Sequence, residues 1–165
     1  MNADTIATGL SAFAPEQVAI AAGRIMLGRI HTLADERKSF AFETTLASLS
    51  FGPLLRQMKR RGYEVHVVFL WLPTAAMAVE RVRGRVRGGG HSIPNAIVER
   101  RFERGLRNFF KVYRPIADSW IMLDNSAAPQ PVPIAWRNVG GPIQIVKTGP
   151  WNSLRSRYEQ TSSDS

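Results

Sequence analysis

The densest chemistry in this 165-residue chain lies between Arg81 and Arg107, RVRGRVRGGGHSIPNAIVERRFERGLR. Eight arginines (Arg81, Arg83, Arg85, Arg87, Arg100, Arg101, Arg104, Arg107) face two acids, Glu99 and Glu103, so this stretch holds six of the nine net positive charges. Val79, Val82 and Val86 recur at helical spacing ahead of the loop, with arginines on both flanks. Gly88-Gly89-Gly90 ends that helix, and Ser92 with Pro94 in the first turn starts another. Val98, Phe102, Leu106 and Phe109 give the second helix an apolar stripe, while Arg100, Arg104, Arg107 and Lys111 form a separate basic stripe. Two arginine-lined helices on a glycine joint can close over an anion as a lid. A lid needs one or two of the eight arginines; the others read as solvated basic surface.

The elements that would position such a lid alternate between helix and strand. Pro15 to Glu36 reads as a long helix, and Ser39 to Thr45, SFAFETT, as a short buried strand ending on Glu43, Thr44 and Thr45. Pro53 to Arg61 reads as a helix stopped by Gly62, and Tyr63 to Leu72 as the strongest strand. Pro73 and Thr74 open the helix that carries Arg81. Ser119 to Leu123 is a further strand, followed by Asp124-Asn125-Ser126. A proline linker leads to a hairpin from Ile134 to Lys147 about Gly140-Gly141. This order predicts an α/β fold with a mostly parallel sheet. In such sheets ligands gather at the carboxyl ends of the strands, where Glu43, Thr44, Thr45 and Asp124-Asn125 fall. The expected division is a core over 1–126, a hairpin and short helix over 127–160, and a disordered tail over 161–165.

Composition narrows the chemistry. Hydrophobic residues at 44% and charged residues at 21% suit a globular domain. Cysteine is absent, which excludes disulfides and thiolate metal sites, and His31, His66 and His91 lack ligand spacing. No leader pattern or membrane-length apolar run is visible, so a cytoplasmic protein without a membrane partner is the expectation. The net charge of +9 favours an anionic partner.

Five segments, NADTIATGLSAF, SFAFETTLAS, VFLWLPTAAMAVERV, GGHSIPNAIVERRFERGLRNF and DNS, occur in an order that resembles the zeta-toxin family of P-loop kinases. The resemblance covers about residues 2–126. It implies a three-layer P-loop-NTPase-like sheet, ATP and Mg²⁺ as cofactors, and transfer of phosphate to a hydroxyl of a nucleotide sugar, UDP-N-acetylglucosamine in zeta toxins. A phosphorylated small molecule or nucleotide sugar and an antitoxin protein are the implied partners. Asp4 matches the aspartate that acts as base on the acceptor hydroxyl. Glu43 matches the acid near metal and acceptor, and Thr45 the threonine that binds the acceptor. Arg81 matches the first lid arginine that contacts phosphates. The second lid arginine falls near His91, so Arg85 or Arg87 would substitute. Asn125 sits where the family approaches the nucleotide base. Asp4, Glu43, Thr45 and Arg81 are accordingly expected to converge on one cleft.

One departure stands beside these matches. A P-loop needs G-x-x-x-x-G-K-[ST], and the chain contains none. Gly141 to Thr148, GPIQIVKT, comes nearest, but Val146 stands in place of the second glycine and the segment lies at the wrong end of the domain. The resemblance therefore implies a kinase core lacking its first strand and P-loop, inactive as it stands and expected to have that segment encoded upstream. A non-catalytic relative that binds a nucleotide sugar or a protein is the alternative. Charge alone would also fit a nucleic-acid-binding module, but no nucleic-acid motif or aromatic platform accompanies it.

Overall fold

The computed structural model describes residues 1–11, 15–88, 90, 92–127 and 130–159. The expected tail at 161–165, His91 and Gly89 lie outside the described residues. The chain forms two compact units, one of residues 1–44 and 85–92, the other of residues 45–84 and 93–165.

In the first unit, α1 (Ala3–Leu10) begins at Asn2, whose side chain accepts a hydrogen bond from the Asp4 amide. Such a cap satisfies one of the amides that a helix start leaves unpaired. A 3₁₀ turn (Pro15–Val18) leads into α2 (Ala19–Asp35). Ala22, Met26, Ile30 and Ala34 are buried along α2 at a strict four-residue spacing, and Ala7 is buried on α1. Small residues at two of these four positions allow close approach of a neighbouring backbone. The end of α2 is a Schellman turn: Lys38 N–H donates to Leu33 O, Arg37 N–H to Ala34 O, and Arg37 has φ of 57°.

The segment expected as a strand, Ser39 to Thr45, does not join a sheet. Phe40 and Phe42 are half-buried between exposed neighbours, so the two-residue periodicity is real. An extended segment becomes a strand only through a ladder of inter-strand bonds. Here Met1 supplies two bonds instead: its nitrogen donates to Ala41 O at 2.6 Å, and its carbonyl accepts from Glu43 N–H at 2.8 Å.

The second unit contains the sheet, in the order β1 (His66–Trp71), β2 (Ser119–Asp124), β3 (Val132–Arg137), β4 (Ile143–Ile145). β1 and β2 are parallel; β2–β3 and β3–β4 are antiparallel. The fold is α/β as expected, but the sheet is mixed, because the hairpin about Gly140-Gly141 adds two strands that run back and forth beside β2. Gly140 takes φ of 66° in that turn. Around the sheet stand α3 (Phe51–Arg60), α4 (Ala75–Arg87, its last three residues in the first unit), α5 (Asn95–Asn108) and α7 (Thr148–Glu159). α5 continues through a π-helical turn (Phe109–Tyr113) into the short α6 (Arg114–Ile116).

The core of this unit is aromatic. Phe109 lies 4.7 Å from Phe69 and edge-on to Trp120 and Phe110, and Trp120 stacks on Trp151 at 5.3 Å. Offset and edge-on ring pairs of this kind add to simple area burial. The Arg114 guanidinium lies over Phe110, Trp120 and Trp151 and is paired with Glu159. Burial pulls its pKa down, and Glu159 partly restores it. The cation is therefore held by a carboxylate at one end and by ring faces at the other.

The opposite face of β1 is open. Val68 is 65% exposed and Leu70 54% exposed, on the end strand of the sheet. An apolar edge strand is a template for pairing with other chains. Val68→Lys is expected to raise the concentration at which the protein stays monodisperse, by light scattering, with thermal stability shifted by less than about 0.5 kcal/mol. Unchanged aggregation would locate the sticky surface elsewhere.

Candidate functional site

The first unit joins two of the expected site residues through a third. Asn2 accepts from the Asp4 amide with Oδ1 at 2.8 Å and donates from Nδ2 to Glu43 Oε2, also at 2.8 Å. One asparagine thus fixes both the first turn of α1 and the carboxylate of Glu43, although the two motifs are 41 residues apart. Asp4 and Glu43 are both exposed, so each carboxylate can reach a ligand from solvent.

In the second unit the loop after Glu43-Thr44 is gripped by α5 and its π-helical extension. A Cβ on Gly105 would stand 2.5 Å from the Thr45 carbonyl oxygen, closer than any real side chain tolerates. Three residues on, buried Asn108 donates from Nδ2 to Leu46 O at 2.8 Å. The Tyr113 hydroxyl then donates to Ser48 O. Burial pushes the Tyr113 phenol up, which keeps it a proton donor. Between these fixed points Leu46 adopts φ of 55° with its side chain buried. A branched residue in the left-handed region is strained, and such strain persists only where neighbours over-determine it. Thr45 is exposed, and its hydroxyl accepts from Ala47 N–H at 3.4 Å.

The carboxyl ends of β1 and β2 meet where Trp71 pairs with Asp124. Asn125 N–H donates to Trp71 O at 2.9 Å, and Arg81 Nη2 donates to the Asn125 carbonyl at 2.5 Å. Arg81, expected as a lid arginine, and Asn125, expected near the nucleotide base, are joined by that bond. The next carboxylate is already engaged: Asp124 accepts from Lys147 Nζ at 2.7 Å and from Ser126 N–H at 2.9 Å. Burial raises the Asp124 pKa, but Lys147 and Ser126 outweigh it, and the net shift is downward.

Arg85 and Arg87 are exposed near the end of α4. The Arg85 carbonyl accepts from Gly88 and Gly90 amides at 3.1 and 3.0 Å, which closes the helix. A Cβ on Gly90 would meet Arg85 Cγ at 2.9 Å and Arg85 O at 3.0 Å, so close approach is one reason for glycine at this end. Among the described residues no three of His, Asp and Glu gather as a metal cage would need, and no helix is long and apolar enough to cross a membrane. A single carboxylate is compatible with Mg²⁺, which keeps waters and takes phosphate oxygens as its other ligands. Glu43 is the residue that would supply it.

The zeta-toxin family profile matches residues 6–125. This chain belongs to the zeta-toxin family. It is 28% identical over 102 residues to an uncharacterized protein of Haemophilus influenzae, covering 62% of this chain and 73% of that one. No solved structure matches it. The family match spans Glu43, Thr45, Arg81, Arg85, Arg87 and Asn125 but begins two residues after Asp4. Membership brings with it a kinase-like P-loop fold, and ATP with Mg²⁺ as the family's general cofactors. Asn2, Gly105 and Asn108 were not singled out from the sequence. The N-x-D spacing of a capping asparagine could have drawn attention to Asn2. A glycine inside an otherwise strong helix pattern could have done so for Gly105.

Two outcomes follow. Gly105→Ala is expected to cost about 1–3 kcal/mol, since its methyl group meets backbone that cannot turn aside. Gly28→Ala on α2, where nothing lies within 4 Å, is expected to gain roughly 0.5–1 kcal/mol. Thermal melts of both variants read the contrast; destabilisation by both would make helix packing in general the cause. The second outcome is acid sensitivity. Asp118, which accepts from Lys59 Nζ and Val65 N–H at 2.6 and 2.8 Å, has its pKa lowered like Asp124, those bonds outweighing the effect of burial. Below about pH 4 the unfolded chain takes up protons at these positions before the folded chain does. Stability present above that pH is therefore lost as pH falls through the folded values. Asp118→Asn should flatten the fall in chemical-denaturation midpoint between about pH 4 and pH 2, and an unaltered slope would remove Asp118 from the acid response.

Proposed function

We propose that this chain carries the acceptor side and arginine lid of an ATP-dependent kinase acting on a nucleotide sugar, within the three-layer arrangement of P-loop NTPases. The observation that carries the reading is Asn2, which binds both the turn that holds Asp4 and the carboxylate of Glu43. One side chain thereby ties the carboxylate of Glu43 to the main chain at Asp4, whose own carboxylate stays exposed. In the proposed role, Asp4 would orient the acceptor hydroxyl and accept its proton. Glu43 would bind the acceptor and would supply an oxygen to Mg²⁺, and Thr45 would donate its hydroxyl to the acceptor. Arg81, with one N–H anchored on Asn125, turns its remaining donors to the phosphoryl group. Arg85 and Arg87 offer substitutes from the next turns of α4. Asn125 would lie by the nucleotide base. An antitoxin protein is the partner that family membership suggests.

These 165 residues do not fit ATP on the donor side. They contain no glycine-rich cradle with its lysine and hydroxyl, and Lys147 of the nearest segment is bonded to Asp124. No step is assigned to that side. The same fact favours a second reading, a non-catalytic relative that binds nucleotide sugar and transfers nothing.

Calorimetry with UDP-N-acetylglucosamine tests what both readings share. Residues 1–165 should bind it, and Glu43→Ala or Thr45→Val should weaken binding by about tenfold, the cost of one good hydrogen bond to a charged or polar group. Asp4→Asn should leave that affinity nearly unchanged. Absence of binding, or binding indifferent to Glu43, overturns the acceptor site. With Mg-ATP added, residues 1–165 should transfer no phosphate; turnover would require a donor site of another kind.

A further inference from the structure

The second unit has a cleft of about 550 Å³ between α5 and α7 that the site above does not use. Arg100, Arg104, Arg107 and Lys111 line it from α5 and its π-helical extension, and Arg157 lines it from α7. Its acid, Glu103, is committed: one oxygen accepts from Arg157 at 3.0 Å and the other from the Tyr158 hydroxyl at 2.8 Å. Burial, followed by Glu103, pushes the Tyr158 phenol up to about 12, so it remains a donor to that carboxylate.

Several arginines elsewhere in this unit are placed against acids or carbonyls. Arg83 meets Glu80, Arg114 and Arg155 meet Glu159, and Arg137 donates to Ala117 O. Arg100, Arg104 and Arg107 form no side-chain bond of this kind with the described residues, and all three are exposed. Like charges three and four residues apart on a helix repel each other. A row of them around a concave surface is a standing cost that a bound anion would relieve.

We propose that this cleft binds an oligophosphate anion, a chain of two or more linked phosphoryl groups. The spacing selects a chain over a single phosphate. Seven residues of helix separate Arg100 from Arg107 by roughly 10 Å along the axis, more than one phosphate can bridge, whereas successive phosphoryl groups reach successive guanidiniums. The aromatic group in the cleft does not offer a base platform. The Tyr158 ring is stacked on Phe110 at 5.9 Å, and the Arg157 guanidinium lies over it at 5.2 Å. Single-stranded nucleic acid, which relies on stacking as well as charge, is less well served than a bare phosphate chain. The proposal does not rest on the kinase reading, since the cleft shares no residue with Asp4, Glu43, Thr45 or Arg81.

The test is calorimetric titration of residues 1–165 with inorganic triphosphate at fixed ionic strength, beside orthophosphate and a single-stranded oligonucleotide. Triphosphate should bind at least about tenfold more tightly than orthophosphate, and Arg104→Gln/Arg107→Gln should lower its affinity by about tenfold or more. Arg24→Gln/Arg29→Gln removes the same charge from exposed positions on α2 and should leave triphosphate affinity within about twofold, separating local contacts from net charge. Amide NMR shifts at residues 104, 107 and 158 should move on titration. Equal affinity for orthophosphate, equal losses in the two double variants, or tighter binding of the oligonucleotide than of triphosphate would each overturn the proposal. Glu43→Ala should not affect triphosphate binding, so failure of the acceptor site and failure of this cleft are read separately.

Discussion

The Thr45 carbonyl oxygen occupies the space that any side chain at position 105 would need, and the loop around it depends on that contact. Glycine is the residue that lets α5 lie directly against the loop backbone. Once the helix is that close, Asn108 reaches Leu46 O and Tyr113 reaches Ser48 O. The π-helical turn contributes to the last bond. Its wider winding carries Phe109, Phe110 and Tyr113 inward together, two as core rings and the third with its hydroxyl on the loop. π-turns inside helices recur at functional sites because they re-aim side chains in this way. The left-handed Leu46 then needs no local cause, since both the helix in front of it and its own burial hold it there.

Most elements of the second unit could be read from spacing. Val98, Leu106 and Phe109 are buried as their helical stripe requires, and the strong strand, the later strand and the Gly-Gly hairpin all form. Two features could not be read. Ser39 to Thr45 has the alternation of a strand, but alternation describes one segment, whereas a ladder depends on a neighbour. The role of Gly105 was equally hidden, because a close approach depends on what the helix meets and not on the helix itself. Among the residues expected at the site, the placing of Glu43 beside α1 rests on Asn2, a short polar residue whose local capping role masks its second bond to a distant carboxylate.

The arginines that dominate the sequence do different work once folded. Arg114 is a core residue: it sits over three aromatic rings with Glu159 against it, and burial weakens its hold on its proton. Replacing it would leave the partly buried Glu159 with Arg155 as its remaining partner, a larger cost than an exposed pair contributes. Arg83 makes an exposed pair with Glu80 within its own helix, worth a few tenths of a kcal/mol, and Arg155 reaches the partly buried Glu159 within α7. Arg81 is anchored on a main-chain carbonyl at the end of β2, which orients it without neutralising it. A count of basic residues cannot separate these roles, because each is defined by what stands opposite the guanidinium.

The segment GPIQIVKT shows why a near-match to a phosphate loop is not one. Gly141 lies just past the hairpin turn, Ile143–Ile145 form β4, and Thr148 begins α7, so no run of free amides is left to surround a phosphate. The lysine that would reach such a phosphate is bonded to Asp124 instead. That pairing fixes the electrostatics at the carboxyl end of β2. Asp124 is 9% exposed and its charge is met from within the fold, so it has little attraction left for a cation. A few ångströms of chain further on, the Asn125 carbonyl holds Arg81, whose positive charge has no carboxylate opposite it among the bonds at this strand end. At this strand end the carboxylate is met by Lys147, while the guanidinium is held by a main-chain oxygen that leaves its charge in place.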